Sequence, residues 1–223
     1  MLPPLRECTP DLTGEGACWK RRRAVVGIVS SRLAERLREA TGPFHVSVER
    51  ALPLTRCELT VDAYRRILGA FLGFYGPLEA GLVRLATCSA ELNLIGREKI
   101  SWLRQDLCAL GASESDLAAI PTCPDLPRVD AVDRAFGCMY VLEGATLGGQ
   151  IIARNLEQHL AMGAQSCAFF RAYGAATGTM WRTFVAHLNR QEPPFDGAVA
   201  AAVETFECLE RWLVARGAPT WQK

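Results

Sequence analysis

The chain has 223 residues, of which 49% are apolar, and carries a formal net charge of +1. That length supports one domain with its own core. The balanced charge gives no pull toward nucleic acid, and no run of about 18 apolar residues marks a membrane span.

Residues 1–28 hold Pro3, Pro4, Pro10 and the basic cluster Lys20, Arg21, Arg22 and Arg23. The apolar stretch from Ala24 to Val29 is too short and wrongly flanked for a secretory signal. This region reads as a flexible extension ahead of a domain at 29–223. A helix is expected over 31–50, with Ser30 or Ser31 as N-cap and Leu33, Leu37, Phe44 and Val48 as its core stripe. Pro43 deletes one helical hydrogen bond and predicts a kink or break just before His45. Further helices are expected over 60–84, 87–111, 127–160, 166–191 and 196–216. Pro53, the stretch from Gly111 to Ser115, the stretch from Pro121 to Pro127, and Pro193-Pro194 punctuate them. Strand-like alternation is scarce and no repeat is visible, so the fold class is all-α, a single-domain helical bundle. The nine cysteines are odd in number and contain no Cys-x-x-Cys. Most read as small buried hydrophobes in a reducing cytosol, and the set does not read as a zinc site or a disulfide framework.

Two strings carry chemistry. The first runs from Leu37 to His45. His45 lies beside the apolar stripe, on the flank shared by Arg38 and Thr41. Arg38 precedes it by two turns, about 10 Å along the axis. A neutral imidazole is a good iron ligand, and an arginine pairs well with a carboxylate. A lone histidine of this kind can equally be a partly buried, hydrogen-bonded core residue.

The second string runs from Tyr140 to Gln150 and places Gly144, Gly148 and Gly149 inside a long apolar-periodic segment. Each glycine costs a helix about 1 kcal/mol against alanine, so three call for a compensating use. That use is either a bend and close approach of a flat ligand, or close helix packing through Gly144-xxx-Gly148. The order of glycines does not match a dinucleotide or phosphate loop.

Taken together, the two strings resemble the walls of a heme oxygenase, most closely the bacterial biliverdin-producing kind. The resemblance extends over roughly residues 31 to 216 and includes the stretch from Phe74 to Glu79, the pair Phe169-Phe170 with Tyr173-Gly174, and Trp181, Arg182 and Phe184. It implies a heme oxygenase-type helical bundle, with His45 as the proximal iron ligand and Gly144, Gly148 and Gly149 laid across the distal face of heme. Arg38, Tyr140 and Arg182 could reach the propionates, although a surface arginine and a core tyrosine explain Arg182 and Tyr140 equally well. Trp181 and Phe184 read as core or pocket wall.

The resemblance implies heme as both cofactor and substrate, O2 as co-substrate, and biliverdin, carbon monoxide and ferrous iron as products. No flavin, nicotinamide or iron–sulfur motif is present, so electrons would come from a ferredoxin or a flavin reductase. A bacteriophytochrome is a conceivable recipient of biliverdin, and the location expected is cytoplasmic. One departure stands out. Mammalian-type members carry an aspartate directly after the first of these glycines, where this chain has Ala145; some bacterial members lack it too. Glu143, arginines, backbone carbonyls and water are the remaining candidates for a proton route. A heme carrier or sensor, or a heme-free protein on the same scaffold, therefore stays open. His159 and His187 read as surface or structural residues.

Overall fold

The structure is a computed structural model, and it describes residues 32–52, 54, 59–89, 91–160 and 164–216. The extension expected at 1–28 lies outside the described residues, as do Ser30, Ser31 and Pro53. Among the described residues eight α-helices follow in chain order: α1 (Leu33–Ala51), α2 (Val61–Ala86), α3 (Ile100–Ala109), α4 (Glu114–Ala118), α5 (Val132–Leu160), α6 (Ala168–Arg171), α7 (Thr177–Leu188) and α8 (Asp196–Ala215). Among the described residues there is no strand, and no helix is long and apolar enough to cross a membrane.

The core is built around α2 and α8. On α2, Tyr64, Ile67, Leu68, Phe71, Phe74, Tyr75, Leu78 and Leu82 are buried, a three-and-four spacing that turns one broad apolar face inward. Phe71, Tyr75, Phe169 and Phe170 pack ring against ring beneath it. α8 packs against α1, α2 and α5. Trp212 Nε1 donates to the carbonyl of Ala70 at 2.8 Å, tying α8 to α2. Gly137 brings α5 so close to α8 that a Cβ there would stand 2.1 Å from the Ala198 carbonyl oxygen. A helix pair in that contact tolerates nothing larger than glycine.

Local chemistry sets the ends of these elements. α1 begins after Arg32, whose N–H donates to Glu35 Oε2 at 3.3 Å, not after a serine cap. Pro43 does not break it: α1 runs on through His45 to Ala51. α5 likewise runs unbroken through Gly144, Gly148 and Gly149.

Two expected helices are shorter than their periodicity suggests. Residues 87–89 and 91–99 are irregular and α3 starts only at Ile100. Gly96 sits at φ +68°, outside helical space. Glu79, from α2, accepts the backbone N–H of Lys99 at 2.8 and 3.1 Å and that of Ile100 at 3.4 Å, which starts the new helix there. The stretch 166–191 is divided by positive φ at Ala172 and Gly174 into α6, a 3-10 turn and α7. The buried Asp106 carboxylate on α3 accepts the N–H groups of Ala168 (2.7 Å) and Phe169 (2.9 Å), so it caps α6 from a neighbouring helix. The short α4 begins within the stretch from Gly111 to Ser115 expected as a break and runs on to Ala118. Ser113 and Asp116 form a reciprocal cap at its start.

Candidate active site between α1 and α5

α1 turns Leu33, Leu37, Thr41 and Val48 into the core and leaves Arg38 and His45 exposed on the adjoining flank. Its outer half is held on α8. Ser47 Oγ donates to Glu210 Oε1 at 2.6 Å, and the His45 ring meets Phe206 edge-on with centroids 6.1 Å apart. The imidazole is thus oriented from one side by an aromatic ring and presented on the side of Arg38 and Thr41.

α5 meets that flank at Tyr140. Burial raises the pKa of the Tyr140 hydroxyl above the usual phenol value, against the lowering effects of the neighbouring Thr41 side chain and the Arg38 guanidinium. Thr41 Oγ1 donates to Leu37 O at 2.7 Å. Beyond this contact the α5 face carries a stripe of glycines at i, i+7 and i+11. Gly137 is covered by α8. Gly144 looks onto Trp181, where a Cβ would have the indole carbons at 3.8 and 3.9 Å. At Gly148 a Cβ would meet nothing within 4 Å. On the same face Leu147 is 44% exposed and Ile151 63% exposed, although they are large apolar side chains of the kind usually turned inward.

Gly149 behaves differently. It faces α6, and a Cβ would lie 2.2 Å from the Phe170 carbonyl oxygen. Its close approach is to protein backbone, so the packing alternative describes Gly149 and the open-face alternative describes Gly148. Gly144 stands between them, with the Trp181 ring for a neighbour.

Trp181 also packs on Tyr140 (5.6 Å between centroids) and Phe184 (6.0 Å). Together with Arg32, Arg182, Val185, Ala186 and Asn189 it lines an open cleft of about 520 Å³. Arg182 is exposed there, its Nη2 donating to Thr179 Oγ1 at 2.9 Å. The structure therefore gathers Arg38, Tyr140, Gly144 and, through Trp181, Arg182 around one region. Gly148 continues its α5 wall and His45 continues its α1 wall. Arg32 was missed by sequence reasoning; it lies ahead of the first predicted core residue and carries no spacing signal.

The other histidines have separate surroundings. His187 packs on Phe136 at 5.3 Å, and burial, then Arg190 and Arg97, lower its pKa. His159 is exposed in the last turn of α5. Among the described residues no three His, Cys, Asp or Glu side chains converge on a point that could hold a metal ion. Ala145 is exposed and supplies no acid. Glu143 turns both oxygens to donors on other segments, Arg97, Lys99 and Tyr173, and so has none aimed at the glycine face.

These residues fit a heme. A flat apolar macrocycle can approach α5 at Gly148, where no atom would stand within 4 Å of a Cβ; α1 carries an exposed imidazole at His45, and the exposed Arg38 and Arg182 are available to carboxylates.

An all-α fold in which a histidine-bearing helix and a helix with an open glycine face share a flank with arginines has the parts needed to hold heme. The heme oxygenase family profile matches residues 31–214, and the chain belongs to that family. It is similar to the heme oxygenase of Xanthomonas campestris pv. campestris (strain 8004), with 27% identity over 168 residues, covering 72% of this chain and 94% of that one. Among solved structures it resembles the heme oxygenase of Leptospira interrogans, at a TM-score of 0.69 and 17% identity, covering 82% of this chain and 99% of that chain. It also resembles heme oxygenase-1 of the cyanobacterium Synechocystis sp. PCC6803 in complex with heme, at a TM-score of 0.69 and 18% identity, covering 82% and 91%. Family and fold support heme degradation as the activity and heme as substrate and cofactor.

Proposed function

We propose that this chain cleaves heme to biliverdin, carbon monoxide and ferrous iron, with the macrocycle seated between the Arg38–His45 flank of α1 and the Gly144–Gly148 face of α5. The observation that carries the reading is the glycine stripe of α5. Gly137 is covered by α8, Gly144 has the Trp181 indole at ordinary contact distance, and Gly148 adjoins open space flanked by the exposed Leu147 and Ile151.

His45 would supply the neutral imidazole that holds the iron. Arg38, Tyr140 and Arg182 would bind the propionate carboxylates by charge and hydrogen bonding. Gly144 and Gly148 let α5 approach the opposite face and exclude bulk water from it. When bound, heme supplies both the iron that activates O2 and the carbon skeleton that is cleaved. Because the glycine face presents no carboxylic acid, proton delivery is left to water and backbone carbonyls.

Electrons would come from a ferredoxin or a flavin reductase, since the chain carries no motif for a redox group of its own. A bacteriophytochrome that receives the bilin and an iron pool that receives the released iron are the two outlets we propose, and the cytoplasm is the proposed location.

Reductive turnover tests the reading. Purified protein with ferric heme, O2 and an electron donor should convert its Soret band to a released bilin with formation of carbon monoxide. One observation favours a second reading: with Ala145 in place of an acid, the protein could bind heme as a carrier or sensor without degrading it. A stable oxygen complex that never yields bilin or carbon monoxide would select that second reading.

A further inference from the structure

The side of α5 turned away from the open face carries a buried charged cluster. Glu143, the residue before Gly144, is 2% exposed. Its Oε2 accepts from Arg97 Nη1 at 2.5 Å, and its Oε1 from Lys99 Nζ at 2.6 Å and Tyr173 Oη at 2.8 Å. Lys99, itself 2% exposed, donates from Nζ to Arg97 O at 2.7 Å and from its backbone N–H to Glu79. Arg97 Nη2 reaches the carbonyl of Met180 on α7 at 3.3 Å. Glu79, Arg97, Lys99 and Glu143 border a cavity of about 20 Å³, room for a single water.

Burying two cations and two carboxylates is expensive, and an apolar residue at position 143 would hold α5 in the core at least as well. What the cluster adds is geometry. A bare glycine face has no side chains with which to set its own distance from a ligand, so its height and rotation must be set from behind. Glu143 is fixed there by two segments at once: the connection leading into α3, through Arg97 and Lys99, and the α6–α7 connection, through Tyr173. Gln150, two turns on, repeats the arrangement by donating to Arg171 O at 2.7 Å.

We infer that Glu143 is a positioning residue for the heme reaction: Arg97, Lys99 and Tyr173 hold it, and through it they set the position of the Gly144–Gly148 face. This rests on the reading that this face covers heme.

The test uses the full chain carrying Glu143→Gln with Lys99→Met, which removes one charge of each sign. The double variant is expected to fold and to bind ferric heme within about threefold of wild type. In the ligand-free protein its residue 144–150 amides should exchange about tenfold faster. With heme, the share of electrons that ends in bilin and not in hydrogen peroxide should fall about tenfold, as expected for a reacting group misplaced by a fraction of an ångström. Should the double variant not fold, Tyr173→Phe removes one donor from the same carboxylate, and the same readouts apply with smaller changes expected. Wild-type exchange at 144–150 together with wild-type electron partition in a folded variant would overturn the inference. A wild-type protein that itself makes no bilin would instead overturn the heme oxygenase reading, while the exchange measurement would still report whether the cluster anchors α5.

Discussion

His45 and the glycines separate into distinct experiments at the scale of single residues. His45→Ala should lose the imidazole-ligated heme spectrum and turnover, and added imidazole should restore part of the spectrum. His159→Ala and His187→Ala should keep both, because those rings lie in other surroundings. An unchanged Soret band in His45→Ala would end the assignment.

Gly148 and Gly149 should move in opposite directions. Gly148→Ala adds a methyl where nothing lies within 4 Å, so it should stabilise the ligand-free protein by up to about 1 kcal/mol while weakening heme binding; Gly148→Leu should abolish it. Gly149→Ala drives a methyl into the Phe170 carbonyl and should cost about 1–3 kcal/mol of stability. Urea unfolding and heme titration of the three variants check this. The glycines were legible in the sequence as an anomaly, but adjacent positions on a helix point about 100° apart. Only the neighbouring elements decide which glycine admits backbone and which admits a ligand.

At the scale of elements, α3 and α6 are joined through Asp106. Burial raises its pKa from 3.8 to about 6, against the lowering effect of the Phe169 and Ala168 N–H groups. A raised carboxyl pKa means that the folded state holds the proton more tightly than the unfolded state. This group therefore favours folding most below pH 3.8, and its contribution falls as pH rises to about 6, a span worth on the order of 3 kcal/mol. Asp106→Asn should remove that slope. The stability of wild type relative to the variant, from urea unfolding at pH 4 to 7, should decline across the window and then level; a flat difference would refute it.

Element boundaries also show where sequence reading stopped. α1, α2, α5 and α8 begin and end within a few residues of their expected limits, because long apolar periodicity sets them. The 87–111 expectation failed because Glu79 of α2 caps a new helix start at Ile100, and the 166–191 expectation failed because positive φ at Ala172 and Gly174 breaks the helix, with Asp106 of α3 capping the short α6 before the break. Local periodicity contains no record of such a partner. The same holds for Glu143: it was visible as a charge beside a glycine, but Arg97, Lys99 and Tyr173 are brought to it only by the fold.

Across the whole molecule, α1 packs chiefly on α8, and Thr41 and Arg38 of α1 act on the Tyr140 hydroxyl of α5. A ligand bound to both walls should therefore couple them. Heme at about 100 times its Kd should stabilise the protein by about 2.7 kcal/mol. For a domain of this size that corresponds to a rise in Tm of roughly 5–10 °C. Protection from hydrogen exchange should concentrate on the outer half of α1 and on residues 144–151, and a rise spread evenly over α2 and α3 would contradict the placement of the slot.

The shared face of Gly137, Gly144 and Gly148 has a consequence for how variation in this chain would show itself in living cells. A substitution at Gly137 would be seen as loss of abundance, because the chain could not assemble; a substitution at Gly148 would leave abundance intact and remove pigment. A library randomised at the three positions and scored for soluble yield and for green colour should divide by helical turn along a single stripe. Gly144, beside the movable indole of Trp181, should fall between the two classes.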